Sequence, residues 1–229
     1  MKDYPALALG GMLLSLLLLA VSTSCAQMAS RPPNVIIILT DDQAWGDLSS
    51  KGNTNLSTPN IDALGAAGAT FTNFYVQPVC SPTRAELLTG RYSFRTGVYS
   101  TGGGGERMNV DETTLGDVFK QAGYQTAAYG KWHNGMQYPY HPNGRGFDDF
   151  YGFVNTGIDY YTHERYGVPS MYRNFSPTEE DKGKYCTDLF EREAIRFLES
   201  QAGKSPFFLY VPFNAPHGSS ALDPRIRST

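Results

Sequence analysis

The sequence predicts an α/β fold, a mixed and mostly parallel β-sheet flanked by helices. Three observations carry that expectation. Residues 34–40, NVIIILT, form an unbroken apolar, β-branched run of the kind a central parallel strand needs when both its faces are buried. Residues 206–213, PFFLYVPF, form a second such run near the other end. Between them lie segments with helical spacing, and strands that alternate with helices pack as a sheet covered on its faces.

Local chemistry justifies each element in turn. The first strand ends on adjacent carboxylates, Asp41 and Asp42. Residues 57–69, STPNIDALGAAGA, read as a helix with Pro59 in its first turn and Gly68 near its end. Residues 70–77, TFTNFYVQ, alternate and are rich in β formers, which predicts a second strand. Residues 81–89 read as a helix with Leu87 and Leu88 on one face and Gly90 as the stop. GGGG at 102–105 is a flexible loop without the G-x-G-x-x-G spacing of a nucleotide-binding turn. In residues 113–124, Leu115, Val118, Phe119 and Ala122 recur at helical intervals, Thr113 or Thr114 can cap, and Gly123 can close. Residues 125–130 form a short strand ending at Lys131. From 135 to 184, Gly, Pro, Tyr and Asn dominate with little periodicity, which predicts a long loop region that shapes a site. Residues 188–200, DLFEREAIRFLES, form an amphipathic helix. Asp188 and Glu191 have capping-box spacing, and Leu189, Phe190, Ala194, Phe197 and Leu198 lie on one face.

Composition bounds the function classes. A chain of 229 residues, 41% hydrophobic and 18% charged, is an ordinary globular domain or part of a larger one. A net charge of −3 gives no electrostatic footprint for nucleic acid, so no nucleic-acid partner is expected. Aromatic residues crowd the stretch from 138 to 172, which suits a carbohydrate or another ring-bearing ligand, although such residues more often simply pack. Lys2, the apolar run 6–21 and the small-polar STSCAQ predict a secretory signal peptide over 1–26, with Ser24-Cys25-Ala26 as the cleavage site. The protein is therefore expected to be exported, to the periplasm or the extracellular space. A lipid anchor at Cys25 and an uncleaved anchor are the alternatives. Beyond the signal only Cys80 and Cys186 remain, and an oxidising compartment could join them in a disulfide.

In open α/β sheets ligands gather beyond the carboxyl ends of the strands. Here Asp41 and Asp42 follow the first predicted strand, Cys80 the second, Lys131 and His133 the third, and His217 the last. Pro82 belongs to a helical first turn, so Cys80 or Ser81 opens a helix whose free N–H groups suit an anion. Arg84, four residues on, can reach back over the same face, and its guanidinium grips oxyanions bidentately. At that position Cys80 could be a reactive thiolate or a structural cysteine in a cap. Asp41 and Asp42 offer hard oxygen donors for Ca²⁺ or Mg²⁺, or a simple turn pair. Asp47 reads as surface charge. Lys131 and His133, at i and i+2 of an extended segment, would face one anion. His217 could donate a proton to a leaving group, or be structural.

Together these residues resemble the sulfatase family of the alkaline-phosphatase-like superfamily. The likeness rests on PNVIIILTDDQAWGDL, TPNIDALGAAGATFTNFY, CSPTRAELLTGRY, GYQTAAYGKWHNG, GRGFDDFYGF and PFFLYVPFNAPH, and runs from about Pro33 to His217. Its most specific element is the C-x-P-x-R…T-G-R stretch, and G-K-W-H strengthens it. The resemblance implies a sulfuric ester hydrolase. In that family the cysteine of C-x-P-x-R is oxidised after translation to formylglycine. Cys80 is the implied site, a formylglycine-generating or equivalent maturation enzyme is the implied partner, and Cys80 is then not free for a disulfide. The aldehyde hydrate carries two hydroxyls, one to attack sulfur and one to expel sulfate afterwards. The same motifs imply that Asp41, Asp42 and residue 80 are ligands of Ca²⁺, which polarises the sulfate oxygens. Arg84 and Lys131 are implied to stabilise the hydrate and the developing negative charge. His133 is implied to partner the nucleophile or sulfate, and His217 to bind sulfate or protonate the leaving group.

The implied substrate is a sulfated carbohydrate or an aryl sulfate, and the aromatic loops lean towards the sugar. Full sulfatases continue well beyond position 229 and supply a second acidic–amide pair to calcium and another lysine to sulfate. Only Asp223 follows His217 here, and no lysine does. Residues 27–229 are thus expected to be the N-terminal part of a sulfatase catalytic domain, truncated on its C-terminal side. Three rivals stand beside this reading. One is a phosphonate or phosphodiester hydrolase of the same superfamily. Another is an inactive truncated pseudoenzyme or binding lipoprotein. The third is a thiol enzyme that uses Cys80 directly, with His133 or His217 as base.

Overall fold

The computed structural model describes residues 32–218, so the predicted signal peptide and Cys25 lie outside the described residues. The chain runs through β1 (Val35–Asp41), α1 (Pro59–Ala67), α2 (Cys80–Thr89), α3 (Leu115–Gln121), β2 (Gln125–Lys131) and β3 (Asp149–Phe153). Four short strands follow: β4 (Glu164–Arg165), β5 (Val168–Pro169), β6 (Met171–Arg173) and β7 (Ser176–Pro177). Then come α4 (Cys186–Gln201) and β8 (Phe207–Pro216). Six strands share one sheet in the order β1-β8-β2-β3-β6-β7. The pairs β1–β8, β8–β2 and β2–β3 are parallel, and β3–β6 and β6–β7 antiparallel. This is the expected class, a mixed and mostly parallel sheet with flanking helices.

Strand alternation divides the core in two. Ala127, Tyr129, Leu209 and Val211 face Leu189, Phe190 and Phe197 of α4. Ala128, Phe208 and Tyr210 face the other way, towards Ala85 and Leu88 of α2 and Leu115 and Phe119 of α3. β8 is therefore packed on both faces, which is why PFFLYVPF shows no polar alternation. Each fully buried Phe or Leu contributes about 1.5–3 kcal/mol to this arrangement.

Several expectations are corrected. β1 is not central: among the described residues it is the sheet edge, with Ile36 47% and Ile38 62% exposed. An apolar run records the capacity for burial and not the strand's place in the order. Residues 70–77 form no strand, and Phe71, Phe74, Tyr75 and Val76 are exposed. Among the described residues no neighbouring strand pairs with them, and β propensity without a ladder decides little. The 135–184 region is not only loop. It contains β3, a strand of the main sheet, and the β4–β5 hairpin. DFYGF hid because both its faces are packed, so it carries neither alternation nor β-branched residues. α4 begins two residues before the expected cap, with Tyr185 as N-cap and no side-chain cap, so Asp188 and Glu191 make no capping box. A reciprocal box is found at α3, where Thr114 Oγ1 accepts from Asp117 N and Asp117 Oδ2 accepts from Thr114 N. Cys80 and Cys186 are both free thiols, so the alternative of a disulfide is not realised. Among the described residues no helix is long and apolar enough to cross a membrane.

Candidate active site

The site forms where β1, β2 and β8 end and α2 begins. Asp41 closes β1 and is buried, and the chain then bends at Asp42 through a left-handed conformation, φ 60°. Residue 80 opens α2, so the first-turn N–H groups around it lack intrahelical partners. Lys131 closes β2 and is fully buried.

Three of the predicted residues meet directly. Lys131 Nζ donates to Asp41 Oδ2 at 2.5 Å, and Arg84 Nη2 lies 3.6 Å from the same oxygen. Arg84 Nη1 donates to the Lys131 carbonyl at 2.6 Å. Burial lowers the Lys131 pKa, the neighbouring Arg84 cation lowers it further, and Asp41 works against both. Arg84 is 1% exposed, yet among the described residues its Nε and Nη2 make no hydrogen bond. Idle donors on a buried guanidinium are uncommon in native proteins and mark a place for an acceptor from outside.

His133 is also fully buried, at φ 58°. Strand alternation is therefore not what brings it beside Lys131: β2 has ended, and a left-handed bend does it instead. Its Nε2 lies 2.9 Å from the Thr101 carbonyl, which makes Nε2 the protonated nitrogen, while the buried Nδ1 has no hydrogen-bond partner among the described residues. Burial first, and then the Lys131 cation, hold the His133 pKa at about 3. The ring is neutral with a bare Nδ1 lone pair.

His217 stands apart from this buried group. Its Nε2 is 3.3 Å from Asp42 Oδ2 and its Nδ1 2.7 Å from the Gly218 carbonyl. Both side chains reach solvent. Tyr160 Oη lies 2.9 and 2.7 Å from the carbonyls of Asn214 and His217 and so fixes the end of β8.

Two clefts meet at Cys80. One, of about 350 Å³, is lined by Asp42, Cys80, Thr101, Arg165, Tyr166 and His217 among others. The other, of about 380 Å³, is lined by Asp41, Asp42, Cys80 and Arg84 among others. Lys131 and His133 line neither and sit behind them. Sequence reasoning missed Asn134, whose Nδ2 donates to the Ser81 carbonyl at 3.1 Å and Oγ at 3.2 Å, so tying the KWH segment to the first turn of α2. Its place beside His133 was the available signal. Thr101, Arg165 and Tyr166 were missed as well, because their segments carry no periodicity.

For a hard divalent cation the donor chemistry fits in kind. Asp41 and Asp42 are adjacent carboxylates beside the cleft, and calcium takes six to eight oxygens. Two carboxylates are fewer donors than such a shell needs. Among the described residues no group of three or more His, Cys, Asp or Glu side chains could hold a metal by itself.

The Sulfatase family model matches residues 33–228. N-acetylgalactosamine-6-sulfatase from Mus musculus is 34% identical over 224 residues, covering 88% of this chain and 43% of that protein. Ps i-CgsB, solved in complex with k-i-k-neocarrahexaose, aligns with a TM-score of 0.73 at 33% identity, over 82% of this chain and 46% of that one. A protein solved with its substrate D-glucosamine-2-N,6-O-disulfate aligns with a TM-score of 0.69 at 30% identity, over 82% and 35%. The chain thus spans less than half the length of these relatives.

Proposed function

The chain belongs to the sulfatase family, and from that premise we propose that the protein hydrolyses sulfate esters of carbohydrates at the clefts around residue 80. The observation that carries this reading is Arg84, a buried guanidinium that lines a cleft at whose edge residue 80 opens a helix, and whose Nε–H and Nη2–H groups make no hydrogen bond among the described residues, Nη2 lying 3.6 Å from Asp41. A sulfate oxygen satisfies such donors with a charge-assisted hydrogen bond. One relative is named as an N-acetylgalactosamine-6-sulfatase and another was solved with its substrate D-glucosamine-2-N,6-O-disulfate, which supports a sulfated sugar here.

In this reading Cys80 is matured to formylglycine by a formylglycine-generating or equivalent enzyme. Its hydrate supplies one hydroxyl to attack sulfur and a second to expel sulfate. Arg84 and Lys131 offset the charge that builds on the sulfate oxygens. Asp41 opposes the lowering that burial and Arg84 impose on the Lys131 pKa. Neutral His133 offers Nδ1 as a hydrogen-bond acceptor for a hydroxyl proton, because Thr101 holds its other nitrogen. His217, oriented by Asp42, gives a proton to the departing alcohol. Asp41, Asp42 and residue 80 would be this chain's ligands to a calcium ion, which when bound polarises the sulfate oxygens. The proposal includes export, directed by the segment 1–26.

Two measurements test it. The mass of the proteolytic peptide holding residue 80, from protein made in its native host, should show an aldehyde in place of the thiol. Turnover should favour aryl or sugar sulfates over phosphodiesters and should survive a thiol-alkylating reagent. An unmodified thiol together with prompt inactivation by the reagent would instead establish the thiol enzyme, and a preference for phosphodiesters the phosphodiester hydrolase.

A further inference from the structure

The cleft beside residue 80 reaches further than one sulfate group requires. Its volume of about 350 Å³ falls within the range of pockets that hold a small organic ligand. Its far wall is the β4–β5 hairpin, which presents Arg165 and Tyr166. Arg165 Nη1 donates to the Gly157 carbonyl at 3.3 Å, and its guanidinium lies over the Tyr166 ring, 4.9 Å from the centroid. Among the described residues it has no acidic partner. The acid next to it, Glu164, is already taken by Lys182 at 2.6 Å. Asp42, the carboxylate on the same cleft, pairs with His217.

The hairpin is a firm mount. His163, immediately before it, is buried with Nε2 2.9 Å from the Lys184 carbonyl. Asp159, 1% exposed, accepts from the N–H groups of Tyr161 and Thr162 at 2.9 and 2.7 Å. Glu164 and Pro169 pair across it, as do Arg165 and Val168. The turn residues Tyr166 and Gly167 have φ 52° and 81°, the twist that suits a two-residue hairpin. A tyrosine in that region is disfavoured, and here it holds an exposed aromatic face at the cleft, 76% accessible.

A mounted guanidinium free of carboxylates, with an aromatic ring beside it, recognises a planar or tetrahedral anion carried on a ring-shaped molecule. We propose that Arg165 is a specificity-determining residue that binds a second anionic group of the glycan, a sulfate or a carboxylate, while the scissile sulfate lies at residue 80. Tyr166 supports the sugar ring that carries it. The substrate class is therefore a multiply charged glycan, and this deepens the sulfatase reading on which it rests.

The test compares the wild-type full chain with Arg165→Ala and Arg165→Lys, each checked for unchanged thermal unfolding. The substrates are one oligosaccharide in three forms: monosulfated, disulfated, and monosulfated with a neighbouring uronic acid. Loss of one charge-assisted contact predicts a fall of about ten- to a hundredfold in kcat/KM for the doubly charged forms in the alanine variant, mainly through KM. The lysine variant should recover part of it, and the ratio of doubly to singly charged substrate should collapse towards one. Whichever doubly charged form loses more identifies the second group as sulfate or carboxylate. An equal loss on all three forms, or no loss, overturns the proposal. Direct titration of the three desulfated product glycans separates the two levels. If no sulfate ester is turned over, charge-dependent binding that disappears in Arg165→Ala still upholds the role of Arg165 and sinks only the sulfatase reading. Binding that ignores the substitution sinks the role itself.

Discussion

The buried His133 makes a sharp prediction about pH. In an unfolded chain its imidazole takes up a proton as the pH falls through about 6.5. In the folded protein it does so only near 3, because burial and the Lys131 cation both oppose a second charge there. Between those values the unfolded state binds more protons, so stability drains as the pH falls. The contribution is fully present above about pH 7 and is lost progressively towards 3. From pH 7.5 to 5.0 the expected loss from this one residue is about 2 kcal/mol. His141, whose pKa burial holds at about 4 among Phe150, Tyr172 and Phe175, adds a similar slope over the same window. The paired carboxylates Asp181 and Glu193, held below their usual range, act only at lower pH. The assay is urea unfolding at the two pH values, with wild type and His133→Gln side by side. The variant should show a pH dependence smaller by about 2 kcal/mol. Histidine ring signals in NMR should show His133 neutral from pH 8 to 4.5. A ring that titrates near 6.5 in the folded protein, or an unchanged slope in the variant, refutes the reasoning.

Other consequences are separately measurable. Asp41→Asn leaves Lys131 and Arg84 buried without their counter-charge, and should cost about 3–5 kcal/mol in urea unfolding; a loss below about 1 kcal/mol would mean that the two cations are not buried together in solution. Cys80→Ser lacks the second hydroxyl that releases sulfate. With an aryl sulfate it should give at most one equivalent of phenol and retain sulfate on the protein, whereas continuous turnover would remove the hydrate from the mechanism. Gly152→Ala would drive its new Cβ onto the Gly130 carbonyl between the paired strands β2 and β3, and should destabilise by about 3 kcal/mol, again read by urea.

How far the fold could be read depended on where the hydrophobic signal is unambiguous. α4 and β8 were legible because one shows a full helical stripe and the other an unbroken apolar run, and each is packed accordingly. The order of strands was not, since NVIIILT has the composition of a central strand and, among the described residues, occupies an edge. Residues 70–77 alternate like a strand, but a strand requires a partner's hydrogen bonds, and periodicity within one segment cannot say whether a partner arrives. β3 fails the opposite way: it has partners on both sides and no alternation to announce them.

The candidate site divides along the same line. Asp41, Cys80, Lys131 and His217 were found because each lies where a β-element or helix changes into its connection, and polar groups at such points converge by topology alone. Convergence did not require the intermediate steps to be right. Cys80 was placed after a strand that does not exist, and Lys131 and His133 were paired through an alternation that stops at Lys131. What survives both errors is that α2 begins beside the ends of β1 and β2, so any residue opening that helix meets Asp41 and Lys131. Arg165 and Tyr166 have no such anchor. Their strands are two residues long, their turn uses tyrosine where asparagine or aspartate would have signalled a hairpin, and the contacts that hold them, such as those of Asp159, His163 and Glu164, follow no sequence period. Residues that perform the common chemistry of a family lie at the ends of its shared strands. The specificity role proposed for Arg165 rests on a short hairpin, where a sequence pattern has least to show.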